Sequence, residues 1–432
     1  MKRIFQILIL SFLTTSVFQA QSYDDLIKQG DEKFYAGDFQ NSIEIYKKAV
    51  KQYPEEVVGV FSLGYALGYS GNPDEGITYI NKAIAMAPDS ISYRYARGEL
   101  KGYKADYKGA IEDISYYKDH ESTKNPEYTY VLLAQYYYDA GDYSNAKKYL
   151  DKAEKELQDL PFTYYYNRGR VQAKNREYTL AIQNLTKAIN ANPNWPLPYF
   201  TRAKALYDIG KYDKSIKDYD VYLQVVPNDD IAYSNRALAK EKSGDLSGAL
   251  SDYSKAISIY DKDALTYVNR STTYQKMKKY DLAMADLNKA ASLAPDYHLI
   301  YNLRGNLHAD KKNYSAAAKD LSKAIELNPN SYSDLISRSM CYLALDKPDL
   351  ALIDAKKAIK LAPDNSDAYL HAGLSFFNSN QFNLAIEYYT KGISKNPEDG
   401  RLYYGRSAAY KELGNSSAAA TDDAKAKSLL TK

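Results

Sequence analysis

The sequence predicts an all-α fold, a solenoid of stacked antiparallel helix pairs. Three observations lead to this prediction: a period of 34 residues, two helical patterns in each repeat, and small residues at two fixed places in every repeat. The phrase YNLRGN at 301–306 shows the period directly, because related phrases recur along the chain. They begin at Tyr165, Tyr199, Tyr233, Tyr267 and Tyr403. Self-similarity at such a period is typical of repeat proteins, whose units cannot bury their apolar faces alone.

Twelve units fill residues 23–432 without a linker, and all have 34 residues except the third (36), the fourth (35) and the last (33). Each unit contains a helical pattern, a polar turn and a second helical pattern, which often ends at an Asn-Pro or Ala-Pro break. The units begin at Tyr23, Val57, Ile91, Glu127, Phe162, Pro196, Asp230, Ala264, His298, Tyr332, Ser366 and Gly400.

Positions eight and twenty of the unit are small in all twelve units, as in Gly64 with Gly76 and Gly305 with Ala317. A glycine inside a helix costs about 1 kcal/mol relative to alanine, so packing has to compensate for it. Small residues at both places therefore predict that the two helices of each pair approach closely.

The unit resembles the tetratricopeptide repeat (TPR). The resemblance rests on an aromatic residue at position four, small residues at eight, twenty and twenty-seven, and proline at thirty-two, as in Ala324 with Pro329 and Ala358 with Pro363. Tyr117 and Tyr222 depart from the pattern at position twenty-seven, and units three, four and seven lack the closing proline. The resemblance implies a right-handed superhelix whose first helices line a concave groove for protein or peptide partners.

An arginine at position seven accompanies a carboxylate at position twenty-three. The two positions are equally far from position fifteen, where the hairpin turns, so they should lie at similar height on facing helices. We expect an ion pair inside each of seven hairpins and a hydrogen bond between Arg168 and Asn184 in an eighth. The predicted pairs are Arg97–Asp113, Arg202–Asp218, Arg236–Asp252, Arg270–Asp286, Arg304–Asp320, Arg338–Asp354 and Arg406–Asp422.

The groove positions implied by the resemblance carry aromatic and basic side chains in units three to six and carboxamides in units seven to nine. Such side chains suit peptide recognition at a low ordering cost. The candidate partner-binding residues are Tyr95, Gln135, Tyr138, Tyr166, Asn167, Arg170, Phe200, Lys204, Tyr207, Asn235, Asn269, Asn302 and Asn306. Two alternatives remain open: these side chains only pack, or the tyrosine-rich groove serves a carbohydrate-binding protein or an enzyme.

Charge and motifs exclude several other classes of function. The formal net charge is only +3, from 57 basic and 54 acidic residues, so we expect no nucleic acid as partner. Cys341 is the single cysteine, and the sequence contains no HExxH, G-x-S-x-G or phosphate-loop motif. We therefore expect no metal, no cofactor and no catalytic site.

Residues 1–20 have the order of a secretory signal peptide. Lys2 and Arg3 precede an apolar run from Ile4 to Phe18, and cleavage is expected after Ala20. The run is too short for a comfortable membrane span, and no second apolar segment follows it, so the mature chain should not insert stably into a membrane. The expected location is periplasmic or secreted, in a bacterial envelope; the alternative is an uncleaved anchor.

Overall fold

A computed structural model describes residues 22–121 and 127–430 of the chain. These residues form 24 α-helices and no strand, which confirms the predicted all-α class. The helices are α1 (Tyr23–Tyr35), α2 (Phe39–Gln52), α3 (Val57–Tyr69), α4 (Pro73–Met86), α5 (Ile91–Tyr103), α6 (Tyr107–His120), α7 (Glu127–Asp139), α8 (Tyr143–Glu156), α9 (Phe162–Lys174), α10 (Tyr178–Ala191), α11 (Leu197–Asp208), α12 (Tyr212–Val225), α13 (Asp230–Ser243), α14 (Leu246–Ile259), α15 (Ala264–Lys276), α16 (Tyr280–Leu293), α17 (His298–Asp310), α18 (Tyr314–Leu327), α19 (Tyr332–Ala344), α20 (Pro348–Leu361), α21 (Ser366–Asn378), α22 (Phe382–Lys395), α23 (Gly400–Glu412) and α24 (Ser416–Leu430). The segment predicted to be a signal peptide lies outside the described residues.

The odd-numbered helices are the first helices of the pairs, and the even-numbered helices are the second. A first helix begins at each predicted unit start except the sixth, where α11 begins at Leu197, one residue after Pro196. None of the helices in the described part of the chain is both long enough and apolar enough to cross a membrane.

Each pair is joined by a turn whose position-fifteen residue has a positive φ. Glycine adopts this left-handed backbone without a steric penalty, and Gly37, Gly71, Gly141, Gly210, Gly244 and Gly414 supply it in six of the turns. In the other six turns a residue with a side chain takes the same conformation, as Arg176 does with φ 63° and Asn380 with φ 59°. The hairpin geometry thus overrides the local preference of these residues.

The chain divides into two compact units, residues 1–205 and 206–432. Within each unit a first helix packs on its own second helix, and that second helix packs on the next first helix. Apolar side chains fill the space between the helices, as in the cluster of Val131, Leu150 and Tyr164 in one unit and that of Val268, Leu287 and Ile300 in the other.

First helices of successive pairs also contact one another, for example α3 with α5 and α7 with α9 in the first unit, and α19 with α21 in the second. Within each unit, side chains on successive first helices therefore lie next to one another. We call this surface, made by positions two, five, six, nine, twelve and thirteen of the first helices, the first-helix face.

The small residues at positions eight and twenty are all buried. At Gly64 a Cβ atom would lie 2.8 Å from the carbonyl oxygen of Gly76, and at Gly76 one would lie 2.6 Å from the carbonyl oxygen of Gly64. Neither distance leaves room for a methyl group, so the backbones of α3 and α4 touch directly. This contact is the close approach that the repeat pattern predicted.

Cys341 lies in α19 and is fully buried. Burial raises the pKa of its thiol to about 11, which keeps the sulfur protonated and unreactive at neutral pH. Its role in the described structure is that of a small apolar residue packed against Ala317 and Leu321.

Candidate interaction surface

Six of the predicted ion pairs lie inside their hairpins with two hydrogen bonds each. In each of the six, Nε and Nη2 of the arginine donate to the two carboxylate oxygens over 2.6–2.8 Å. The pairs are Arg97–Asp113, Arg236–Asp252, Arg270–Asp286, Arg304–Asp320, Arg338–Asp354 and Arg406–Asp422. The carboxylates are buried, and such forked, charge-assisted bonds are strong and directional.

In several pairs, the guanidinium also lies near the ring of a tyrosine three residues before the arginine. The Arg304 guanidinium carbon lies 5.4 Å from the Tyr301 ring centroid, and the corresponding distance from Arg236 to Tyr233 is 5.2 Å. An arginine can occupy a packing face in this fold because its charge is paired with a carboxylate and its planar guanidinium lies near an aromatic ring.

The same arginines also bond to the preceding pair, and these partners were missed by the sequence prediction. The third guanidinium nitrogen, Nη1, donates to a polar side chain at position twenty-five of the previous unit. The acceptors are Asn81 for Arg97, Thr186 for Arg202, Asp220 for Arg236, Ser254 for Arg270, Asn288 for Arg304, Ser322 for Arg338 and Thr390 for Arg406. The six arginines with a carboxylate partner in their own hairpin therefore also link their pair to the preceding one, and Arg202 bonds to the preceding pair through Thr186.

The predicted hydrogen bond between Arg168 and Asn184 is wrong. Arg168 donates instead to Asp151, at position twenty-five of the preceding unit, over 2.5 Å and lies 3.5 Å from Glu154. Asn184 donates to Gln172 over 2.9 Å. The pair Arg202–Asp218 stays a prediction, because its members belong to different compact units.

Three of the predicted partner-binding residues of the first unit, Tyr138, Tyr166 and Asn167, contact a fourth, Arg170. Its guanidinium carbon lies 3.8 Å from the ring centroid of Tyr138 and 5.3 Å from that of Tyr166, and it forms a 2.5 Å ion pair with Asp139. Trp195 packs edge-on against Tyr166 with centroids 4.5 Å apart. We call this group the Arg170 stack. The stack fixes several long side chains before any partner arrives.

Asn167 does not present a surface in this structure. Asn167 is 1 % exposed, its side-chain carbonyl oxygen accepts a 3.4 Å hydrogen bond from Arg170, and its amide nitrogen has no hydrogen-bond partner among the described residues. The other predicted residues of this unit lie on the first-helix face. Tyr95 and Gln135 are half-buried, as is Phe200, and Lys204 is exposed with its amine 5.8 Å from the Phe200 ring centroid.

In the second unit the predicted side chains are half-buried. Tyr207 packs against Tyr212 with ring centroids 5.5 Å apart, and Asn235 and Asn269 lie on α13 and α15. Asn302 and Asn306 are engaged with each other and with a neighbouring helix: Asn306 donates to Asn302 over 3.3 Å, and Asn302 donates to the buried Asp334.

A further group on the first-helix face was not among the predicted residues. Glu99, at position nine of α5, accepts a 3.0 Å hydrogen bond from the Tyr65 hydroxyl, which lies 3.2 Å from the Tyr69 hydroxyl. Burial raises the pKa of Tyr95 and of Tyr136, and the charge of Glu99 raises both further. We call Glu99 with Tyr65, Tyr69, Tyr95 and Tyr136 the Glu99 cage. Comparing position nine across the units of the sequence would have identified the Glu99 carboxylate. That it has no cationic partner among the described residues can be seen only in the structure.

The first-helix face carries groups that suit non-covalent recognition. Residues 22–121 and 127–430 contain no group of three or more His, Cys, Asp or Glu side chains placed to hold a metal ion. The aromatic rings and carboxamides offer apolar area together with hydrogen-bond donors and acceptors, which is what an extended backbone needs.

Comparison with known proteins places the repeat in a family. Tetratricopeptide-repeat models match residues 27–91, 131–196, 200–264, 264–297, 298–331, 335–365 and 370–427, well over half of the chain. The chain is also similar to the TPR repeat-containing protein MJ1428 of Methanocaldococcus jannaschii, with 22 % identity over 174 residues, or 40 % of this chain. The match spans 30 % of the length of that relative.

Two solved structures of tetratricopeptide-repeat chains are similar to part of this chain. The C-terminal part of a TPR repeat-containing protein from Cytophaga hutchinsonii is 22 % identical and has a TM-score of 0.49, with coverage of 56 % of this chain and 98 % of that chain. YrrB, a TPR protein with an unusual peptide-binding site, is 21 % identical with a TM-score of 0.37, over 41 % of this chain and 91 % of that one. From the family matches and the helix pairs, this chain belongs to the tetratricopeptide-repeat family.

Proposed function

We propose that the chain is an exported scaffold that binds protein or peptide partners on its first-helix face. Tetratricopeptide-repeat proteins generally mediate binding of proteins or peptides. The observation that supports the proposal here is the preorganised state of that face, above all the Arg170 stack. Side chains already held by neighbours lose little conformational entropy on binding, so contacts with a partner contribute more of their energy to affinity.

Within the Arg170 stack, the aromatic contacts favour a peptide over a carbohydrate as the ligand. Sugar rings stack on flat, exposed aromatic faces, whereas the face of Tyr138 is covered by Arg170 and Tyr166 contacts both Arg170 and Trp195. The edges, hydroxyls and carboxamides that remain suit the polar backbone and mixed side chains of a peptide.

Export rests on the sequence of residues 1–20, with its basic start, apolar run and small residue before Gln21. When the chain is produced with its own leader in a bacterial host, we expect the periplasmic or secreted protein to begin at Gln21. N-terminal sequencing of each cell fraction measures this. Replacement of Ala20 by Arg should block processing, and recovery of the unaltered chain from the membrane fraction with Met1 or Lys2 at its terminus would contradict cleavage.

Site-specific photocrosslinking tests the binding face. A benzophenone amino acid placed at Gln135 or Asn269 should form adducts with partners from envelope extract, because both positions lie on the first-helix face. The matched controls are Leu180 on α10 and Ile353 on α20, which are exposed apolar residues of second helices. We expect adducts from the first two positions only. Equal adducts from the second-helix positions would show that the partner uses another surface, and no adduct from any position would contradict the binding proposal.

A further inference from the structure

Glu99 has no cationic partner among the described residues. Only a tyrosine hydroxyl bonds to its carboxylate, whereas Asp113 in the same helix pair is bonded by both Arg97 and Lys101, and the buried Glu241 is bonded by Lys276. The two nearest cations of α5, Arg97 and Lys101, are both directed to Asp113. The fold therefore supplies cations to Asp113 and Glu241 and, among the described residues, none to the half-buried Glu99.

Leaving Glu99 without a cation has a physical cost. Burial raises the pKa of its carboxyl above the ordinary value, and the hydrogen bond from Tyr65 offsets this only in part. A folded-state pKa above the unfolded value means that the ionised form is disfavoured in the folded chain, so ionisation at neutral pH reduces stability. A residue that weakens the fold at this place is more readily explained by binding than by packing.

The surroundings of Glu99 are those of a site for a positive charge. Tyr65 and Tyr69 approach each other with ring centroids 4.8 Å apart, and Tyr136 is packed so tightly on α5 that a Cβ atom at Gly102 would lie 2.5 Å from its ring. Aromatic rings attract cations through their electron-rich faces, and a carboxylate within the same cage adds a direct ionic partner.

The neighbouring positions connect this cage to the rest of the first-helix face. Glu99 and Tyr65 occupy position nine of adjacent units, and Tyr69 and Tyr103 occupy position thirteen, where Tyr103 is 69 % exposed. A side chain from a peptide that lies along this face can thus reach the carboxylate from solvent, since Glu99 itself is only half-buried.

We propose that the Glu99 cage receives a lysine or arginine side chain of the partner. The inference rests on the proposed function, because it requires a peptide on the first-helix face. It adds a sequence requirement that the face alone does not imply: one basic residue whose charge replaces the cation missing from the fold. The Tyr65 hydroxyl remains bonded to Glu99 and orients the carboxylate toward that residue.

Selection from a random peptide library tests the sequence requirement. The full chain, its Glu99→Gln variant and its Glu112→Gln variant are each incubated with a resin-bound nonapeptide library, and retained peptides are sequenced. Glu112 is an exposed residue of α6 in the same pair, so its variant is matched in chemistry and region. We expect enrichment of Lys or Arg at one position with the unaltered chain and the Glu112 variant, and loss of that enrichment with the Glu99 variant.

A binding cycle then assigns the basic residue to the cage. For one selected peptide, exchange of its basic residue for glutamine should weaken binding about tenfold, the Glu99→Gln change should cause a similar loss, and the two changes together should cause little further loss. Peptides retained without a basic preference, or a preference that survives in Glu99→Gln, would overturn the inference and leave the proposed function intact. If none of the three proteins retains any peptide, the proposed function is wrong, and the inference that rests on it is wrong as well.

Thermal stability gives a second, independent readout. Glutamine keeps the acceptor for Tyr65 and removes the charge, so the Glu99→Gln variant should melt at a higher temperature than the unaltered chain at pH 7, and Glu112→Gln should leave the melting temperature unchanged. A lower melting temperature for Glu99→Gln would mean that the carboxylate supports the fold, which would overturn the inference.

Spermidine tests whether the cage binds a free amine instead. If spermidine binds to the cage and the peptide selection shows no basic preference, the inference would be overturned in favour of a free amine.

Discussion

Replacement of Arg304 or Asp320 by alanine should each destabilise the surrounding helices by about 3 kcal/mol. Either change leaves a charged group in a buried place without its forked partner, and the usual cost of that is about 3–5 kcal/mol. The low end of this range applies because the Arg304 side chain keeps 19 % of its surface exposed, against 10 % for Asp320. Hydrogen exchange of α17 and α18 measures the local opening free energy, which is appropriate for a chain of many repeats.

The double variant distinguishes an ion pair from two separate contributions. With both charges removed no unpaired group remains, so the double variant should lose at least about 1 kcal/mol less than the sum of the single variants. Simple additivity would show that the two side chains do not act on each other. The control is Lys323 with Glu326, an exposed ion pair of the same hairpin at 2.6 Å, whose removal should leave the opening free energy nearly unchanged because solvent screens the two charges.

Gly64→Ala should destabilise α3 and α4 by about 1–3 kcal/mol, although alanine is the better helix former by about 1 kcal/mol. A Cβ atom there would lie 2.8 Å from the backbone oxygen of Gly76 and 2.9 Å from Cβ of Tyr79, and neither atom belongs to the far end of a flexible side chain. The helices must therefore separate, which weakens every contact along the pair. Hydrogen exchange of α3 and α4 reports the change.

Gly59→Ala is the matched control in the same helix. At Gly59 a Cβ atom would meet the Tyr23 ring at 3.4 Å and the Ala49 side chain at 3.7 Å, which are ordinary contact distances. This variant should be neutral or up to about 1 kcal/mol more stable, because only the helix propensity changes. If Gly64→Ala behaved in the same way, the close approach of the two backbones would not be the reason for small residues at position eight.

Contacts inside one helix pair could be predicted from the repeat. The period assigns Arg304 and Asp320 to facing positions, and any antiparallel hairpin that turns at position fifteen brings such positions together. The same reasoning applies to Gly64 and Gly76, since small residues on facing helices have meaning only where the helices touch. These predictions required a count along the chain and a known helical geometry, but no knowledge of neighbouring pairs.

Contacts between successive pairs could not be predicted from the repeat period in this way. Arg168 illustrates this, because position twenty-three of its own hairpin is Asn184 rather than a carboxylate, and Arg168 bonds to Asp151 of the preceding pair instead. That unit is 35 residues long, so the spacing from Asp151 to Arg168 is 17 residues where the other units have 16. The sequence does show a polar residue at position twenty-five of the unit before every such arginine. Whether that residue contacts the arginine depends on how far one helix pair is displaced from the next, which the sequence does not state.

The burial of individual side chains on the first-helix face was also decided by three-dimensional packing. Asn167 and Asn269 occupy the same position in their units, yet the first is 1 % exposed and holds Arg170, while the second is half-buried. The period, the helix pairs and the paired charges follow from residues within 34 positions of one another. The exposure of Asn167, the Arg170 stack and the unpaired charge of Glu99 depend on which bulky side chains adjacent pairs bring to the same place, and no rule of spacing within one repeat contains that information.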